Sequence, residues 1–275
     1  MEFDQKDKCY RIRQDFRFPV PNLTDEEAVA QGTAAAITAG PGLDINQGAR
    51  AVSRKLAASA KGDIAQLLAD AEELIAVLDL KLADHSRHRE IVRTVQWALV
   101  KRKQLAGTYR SPYEAQDVKV QLHPYRLCLV KAAWYVIAQP ADEASPRTYR
   151  VARFKTLRMT DSNAQVPADF DLKAYFGNAW AVYRGEQSYD VEIVFTKEAA
   201  ATATEVVWHH TQKARRHKDG RVTLTFQVDG LNEIVRWMLG WGNRAVVVQP
   251  VELKNLIVEQ FRSALQVYET GPGVQ

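Results

Sequence analysis

Two kinds of hydrophobic spacing divide this chain. Between residues 23 and 106, Ala, Leu, Ile and Val recur at helical intervals, and the pattern predicts four helices. The first opens at Leu23-Thr-Asp-Glu-Glu-Ala28, where Thr24 is an N-cap and Glu27, three residues on, completes a capping box. It is expected to run to Thr38, ahead of the breaker Ala39-Gly-Pro-Gly42. The others cover 46–59, 62–80 and 86–104. Upstream, Tyr10-Arg-Ile-Arg13 alternates as a short strand does, and Pro19 and Pro21 end it.

From Gly107 the period shortens to two. Val118, Val120 and Leu122 alternate with Lys119, Gln121 and His123, the mark of a half-buried strand. Two apolar runs follow, Leu127–Val130 and Ala132-Ala-Trp-Tyr-Val-Ile-Ala138, then a turn from Gln139 to Pro146 and a strand from Arg147 to Lys155. Short strands with no helices between them predict a small antiparallel sheet or barrel. The last third mixes both periods. It reads as a strand at Tyr189–Phe195, a helix over 198–207, two strands around Asp219-Gly220, a helix at Leu231–Leu239, a strand at Ala245–Gln249 and a closing helix at Val251–Tyr268. That β-α-β-β-α-β order with a final helix is ferredoxin-like. The expected class is α+β throughout, ending in a disordered tail at 270–275.

Composition narrows the possibilities. The 275 residues are 46% hydrophobic and 25% charged, with net charge +4 and pI near 9.0, a mild basic bias that permits an anionic partner. Cys9 and Cys128 lie far apart without C-x-x-C spacing, which argues against a disulfide framework or zinc site and for a reducing cytoplasm. No apolar run is long enough to span a bilayer, and Met1–Asp7 lacks the apolar core of a signal peptide. No Gly-rich phosphate loop or G-x-S-x-G elbow occurs, so neither an enzyme nor a cofactor is expected.

Most of the chemistry lies in the middle. Between Arg147 and Arg158 stand five cations and no carboxylate. With strand alternation, Arg147, Tyr149, Val151 and Arg153 share one face and Thr148, Arg150 and Ala152 the other. Arg147 and Arg153 then lie roughly 20 Å apart, a span suited to successive phosphates rather than a single one. The plain alternative is a solvated edge strand kept positive against edge pairing. Trp134 and Tyr135 face opposite sides of their strand. Trp134 is expected in the core, and Tyr135 is free to stack on a base or bond a phosphate.

These segments resemble a WYL domain. Trp134-Tyr135-Val136 stands for the Trp-Tyr-Leu triplet that names it. Tyr109-Arg-Ser111 resembles its opening Tyr-x-Ser strand, His123-Pro-Tyr-Arg-Leu127 its Pro-containing second strand, and Arg147-Thr-Tyr-Arg-Val-Ala-Arg-Phe154 its R-x-F-R-L-D-R-I run. Val136 replaces Leu, and Ala152 replaces the usual Asp, which leaves the neighbourhood more positive. The resemblance extends to 19–106 as a helical linker and to 188–268 as the family's C-terminal extension. It implies a bacterial transcriptional regulator with an Sm-like barrel that senses a ligand. The winged helix-turn-helix that usually precedes the linker is missing, with Tyr10-Arg-Ile-Arg13 resembling the strand that leaves its wing. The expected organisation is thus a remnant strand and connector at 1–22, the linker at 23–106, the WYL domain at 107–187 and the extension at 188–269.

The resemblance also sets the expected site. A single-stranded nucleic acid or nucleotide would lie on the barrel, with Arg147, Arg150 and Arg153 on phosphates and Tyr109, Ser111, His123 and Tyr135 around the ligand. A histidine at 123 would add positive charge on acidification. A secondary basic patch, Lys213, Arg215, Arg216, Lys218 and Arg221, surrounds the Asp219-Gly220 turn. His209, His210 and His217 are set aside as metal ligands because the adjacent pair cannot face one ion from a regular element. Expected partners are a second copy of the chain, as a homodimer, and a full-length regulator that carries a DNA reader. The competing readings are an interaction module without a small ligand and direct DNA binding by the basic surfaces.

Overall fold

The computed structural model describes residues 2–4, 8–11, 23–38, 48–59, 63, 64, 66, 68, 70, 86–111, 116–131 and 133–271. The chain divides into two compact units, residues 1–164 and 165–275. The expected connector over 12–22, most of the helix over 62–80 and the tail beyond residue 271 lie outside the described residues.

The first unit opens with a two-stranded antiparallel ladder, β1 (Glu2–Asp4) with β2 (Cys9–Arg11). Helix α1 (Asp25–Thr38) starts as its sequence dictates: Thr24 Oγ1 accepts the Glu27 N–H at 3.2 Å, and the Glu27 carboxylate accepts the Thr24 N–H at 2.9 Å. It packs on α2 (Gly48–Ser59), where the Gln31 amide donates to the hydroxyl of the buried Ser53 at 3.2 Å. Helix α3 (Arg89–Val100) follows a 3-10 turn at Ser86–His88 and turns Val92, Val95 and Ala98 inward. The expected helix over 86–104 stops early because Arg102 takes a left-handed conformation (φ 51°), which reverses the chain. The first strand of the sheet therefore begins at Lys103 rather than at Gly107.

Five strands follow: β3 (Lys103–Tyr109), β4 (Val118–Val130), β5 (Ala133–Pro140), β6 (Arg147–Arg150) and β7 (Phe154–Asn163). They form one antiparallel sheet of order β6-β5-β4-β3-β7. The two apolar stretches read separately before and after His123 belong to one strand, β4, whose register shifts between Pro124 and Arg126. The expected closed barrel is not formed: among the described residues β6 and β7 share no ladder and are joined by a 3-10 turn at Val151–Arg153. That turn also corrects the reading of 147–155 as one strand. Tyr149, Val151 and Phe154 are all buried, and the interval of three between the last two fits a helical turn rather than alternation. The core joins α3 to the sheet through Val95, Ala98, Leu105, Leu122, Val136, Tyr149 and Phe154.

Gly107 allows β3 and β7 to approach. A Cβ there would sit 2.1 Å from the Thr156 carbonyl oxygen, closer than any real contact. Gly107→Ala is expected to cost about 1–3 kcal/mol by forcing the strands apart. Urea denaturation followed by circular dichroism checks this, and an unchanged midpoint would show that β7 docks elsewhere.

The second unit builds α4 (Leu172–Phe176), β8 (Ser188–Phe195), α5 (Lys197–Glu205), β9 (Lys213–Arg216), β10 (Val222–Asp229), α6 (Asn232–Leu239), β11 (Ala245–Gln249) and α7 (Val251–Thr270). Its antiparallel sheet has the order β11-β8-β10-β9. The helices cover one face, where Val191, Ile193, Phe195, Leu224, Phe226, Ile234 and Leu253 are buried. Two carboxylates tie the irregular segment before β8 to this core. Glu233, in the first turn of α6, accepts backbone N–H groups from Ala181, Val182 and Tyr183 at 2.8, 3.1 and 3.2 Å. Asp229 accepts from the Asn178 N–H at 3.0 Å and Arg184 Nε at 3.2 Å. Burial pushes the Asp229 carboxyl up, but the Asn178 and Ser188 hydrogen bonds and the Arg184 charge outweigh it and hold the group below its usual range.

His209 is buried and stacked on Trp180, with ring centroids 5.6 Å apart, and its Nδ1 lies 2.8 Å from the Thr211 hydroxyl. Burial, aided by the neighbouring His210, lowers its pKa below the ordinary value. The unfolded chain then binds more protons than the folded one between that lowered value and about 6.5. Stability of this unit is therefore fully present above about pH 6.5 and falls as pH drops through that window. Melting midpoints recorded across the window should decline in the parent chain and decline less in His209→Gln. Parallel curves would remove His209 as the cause.

Candidate functional site

The arginine-rich turn and the end of β3 meet beneath a group of aromatic rings. Tyr109 sits edge-on to Tyr149 and Phe154, with centroids 5.1 and 4.9 Å away, and all three are buried. The Tyr109 hydroxyl accepts the Arg150 N–H at 3.2 Å, and the Arg110 N–H donates to the Arg153 carbonyl at 3.0 Å. These two bonds satisfy backbone groups at the place where β6 ends. Burial, opposed by Arg147, pushes the Tyr149 phenol up to about 12, so this ring stays neutral.

Above this floor lies a cleft of ≈ 700 Å³ lined by Arg87, His88, Ile91, Arg110, Ser111, Ala152, Arg153, Phe154 and Lys155. Three elements contribute: the turn that opens α3, the end of β3, and the turn that leads into β7. Asp117 holds two of the cations, with Lys155 Nζ at 2.6 Å and Arg110 Nη1 at 3.1 Å. The Lys155 hydrogen bond, against some desolvation and with help from Arg110, keeps the Asp117 carboxyl below its usual range. Arg87 and Arg153 make no ion pair among the described residues. His88 Nδ1 is buried there without a hydrogen-bond partner among those residues. The cleft is therefore lined by two arginines that make no ion pair among the described residues, together with Ser111, an arrangement suited to an anion.

The expected site residues separate into groups. Ser111 and Arg153 share the cleft, and Tyr109 supports it from the core rather than facing a ligand. Tyr135 pairs across the strands with Arg150 and Cys128, both half-buried. His123 is buried on β4. Its neighbour Leu122 pairs with Leu105, six residues before Ser111, so His123 lies about 20 Å along the sheet from Ser111. Arg147 is exposed and paired with Glu143 at 2.6 Å. The expected row of three arginines on phosphates is thus not one surface, because the 3-10 turn sends Arg153 elsewhere. Burial pushes the Cys128 thiol up, with Arg126 opposing, which leaves it a poor thiolate.

Sequence reasoning missed Arg87, His88, Arg110 and Lys155 as cleft residues. Arg110 and Lys155 adjoin the motif residues Tyr109, Ser111 and Phe154, a cue that was readable. Nothing in the sequence ties Arg87 and His88 to Arg153, more than 60 positions away.

The secondary basic patch is largely engaged. Lys213, Arg215 and Arg216 form β9, an exposed edge strand. Arg215 lies 3.6 Å from Glu192, Arg216 donates to the Thr204 hydroxyl at 3.2 Å, and Arg221 pairs with Asp219 at 2.7 Å. Lys218 is exposed at the turn. The three histidines have protein partners: His209 as above, His210 with Asn178 at 3.0 Å, and His217 with Thr223 at 2.7 Å. Among the described residues, no helix is long and apolar enough to cross a membrane.

Comparison with known proteins agrees with this division. The WYL domain matches residues 90–159 and the WCX domain residues 187–265. Among solved structures, proteasome accessory factor B/C (PafBC) of Arthrobacter aurescens is similar at 17% identity and a TM-score of 0.32, over 86% of this chain and 34% of that one. A CRISPR Cas-related protein is similar at 12% identity and a TM-score of 0.45, over 78% of this chain and 61% of that one. The chain thus spans about a third of the first structure's length and less than two thirds of the second's. No curated protein matches it. The two domains together account for more than half of the 275 residues, one on each compact unit, and the chain belongs to the family of proteins that carry a WYL domain followed by a WCX domain.

Proposed function

We propose that this chain is the sensing part of a WYL-type transcriptional regulator and that its cleft binds an anionic effector, a short single-stranded nucleic acid or a nucleotide. The observation that carries this reading is the pair Arg87 and Arg153, both without an ion pair among the described residues, facing the same cleft as Ser111. Ala152 adds support. In the family's motif an aspartate stands there, and in this chain the alanine leaves the wall beside Arg153 without a carboxylate. The guanidinium groups hold phosphate oxygens, and Asp117 holds Arg110 and Lys155, which also line the cleft, in ion pairs. The chain acts by binding rather than by catalysis. The strand orders of the two sheets support reading the first as an open Sm-like fold and the second as ferredoxin-like.

Binding regulates only if it favours one arrangement over another, since a ligand of equal affinity for both shifts nothing. The effector's contribution is therefore to order the turn at 151–153 against the 3-10 turn at Ser86–His88, the two elements that carry Arg153 and Arg87.

Fluorescence anisotropy with a labelled oligodeoxynucleotide at two salt concentrations tests the site. Affinity should fall with salt, and Arg153→Glu and Ala152→Asp should each weaken it about tenfold or more. Lys218→Glu, on the second unit, should leave it unchanged. Undiminished binding by Arg153→Glu would reject this cleft, and sensitivity confined to Lys218→Glu would move recognition to the basic edge strand.

A further inference from the structure

Strand β9 carries positive charge and an open backbone in the same four residues. It runs Lys213-Ala-Arg-Arg216, is exposed along its whole length, and stands last in its sheet, paired on one side with β10. The turn at Lys218-Asp-Gly220 fixes which backbone groups that pairing uses. The His217 N–H donates to the Arg221 carbonyl at 2.9 Å. In an antiparallel ladder the hydrogen-bonded pairs then continue in steps of two, to Arg215 with Thr223 and to Lys213 with Thr225. Ala214 and Arg216 therefore turn their N–H and C=O groups away from β10, and no other described strand takes them up.

The side chains alternate with the backbone. Ala214 and Arg216 pair with Leu224 and Val222 on the face that the helices cover, so Lys213 and Arg215 stand on the open face. From Lys213 to Arg221 there are five cations and one carboxylate, Asp219. Glu192 reaches Arg215 at 3.6 Å, and Lys213 makes no ion pair among the described residues.

These charges select what can pair with the edge. A second β9 is repelled, because lysine and arginine would face like charges across the strands. The phosphate backbone of DNA supplies acceptors only and leaves the outward carbonyls of Ala214 and Arg216 unmatched. A peptide strand supplies donors and acceptors together, and carboxylates at every second position meet Lys213 and Arg215.

We infer that β9 takes up an extended acidic peptide segment of a partner protein as a fifth, antiparallel strand. Its backbone pairs with Ala214 and Arg216, and its carboxylates lie beside Lys213 and Arg215. This contact is independent of the effector cleft and stands whether or not that cleft binds an anion.

Fluorescence anisotropy of the full chain with a dye-labelled peptide of alternating glutamate and valine tests it. The parent chain should bind, less tightly as salt rises. Lys213→Glu combined with Arg215→Glu should weaken binding about tenfold or more, and a peptide with lysine in place of glutamate should then prefer this variant to the parent. Backbone methylation of the peptide separates strand addition from attraction between charges. In the inferred register the valine N–H groups point at β9 and the glutamate N–H groups point away. Methylated valines should abolish binding, and methylated glutamates should leave it within about threefold. Arg153→Glu, on the other unit, should leave it unchanged. A parent chain that does not bind, equal binding of the two methylated peptides, or a loss in Arg153→Glu would each overturn strand addition at β9. So would displacement of the peptide from the Arg153→Glu chain by an oligodeoxynucleotide, which would make β9 a nucleic-acid surface.

Discussion

Tyr109 closes β3, and its position governs the functional end of the first unit. Its hydroxyl accepts the Arg150 N–H, and its ring wedges between Tyr149 and Phe154. Without that acceptor the last N–H of β6 would be buried beyond the ladder, at a cost of about 1–3 kcal/mol. With it, the chain leaves the sheet at Arg150, turns through Val151–Arg153 and returns along β3 as β7. Gly107 lets that return come close enough to pair. The position of Arg153 follows from where this reversal occurs, so the cleft inherits its geometry from a buried hydroxyl and a missing Cβ.

Positive charge on this chain is common, and carboxylates of the chain itself engage part of it. Arg147, Arg215 and Arg221 each face a carboxylate, and Arg110 and Lys155 share Asp117. Exposed pairs of this kind add little stability, yet they determine which cations an incoming anion meets unopposed. Arg87 and Arg153 are such cations, and they share one concavity. The net charge of +4 reports none of this, because it counts each cation equally whatever stands beside it.

The second unit handles its polar groups differently. Its irregular segment around Asn178–Arg184 exposes backbone N–H groups that no strand can take, and Glu233 and Asp229 accept them. The aromatic group of Trp180, Trp208, Trp237, Trp241 and Phe226 fills the space between that segment and the helices. A domain so fully occupied internally leaves its outward chemistry to its margin, the edge strand β9.

Sequence alone determined what depends on neighbours in the chain. The capping box at Thr24 and Glu27, the strand at Ala245–Gln249 and the element order of the second unit all follow from local periodicity and from hydrogen bonds within a single turn. The motif residues Ser111 and Arg153 were recognisable as a set, but their neighbours were not. Tertiary structure decided that Val151 buries at an interval of three from Phe154, which turned an expected strand into a helical turn. It also decided that β4 runs unbroken past His123, which carries that histidine far from Ser111, and that Arg87, on the turn before α3, lines the same cleft as Arg153. Periodicity reports which side of an element is buried. Where the chain reverses, and what it meets when it returns, depends on packing between residues tens of positions apart, and only the folded chain brings those together.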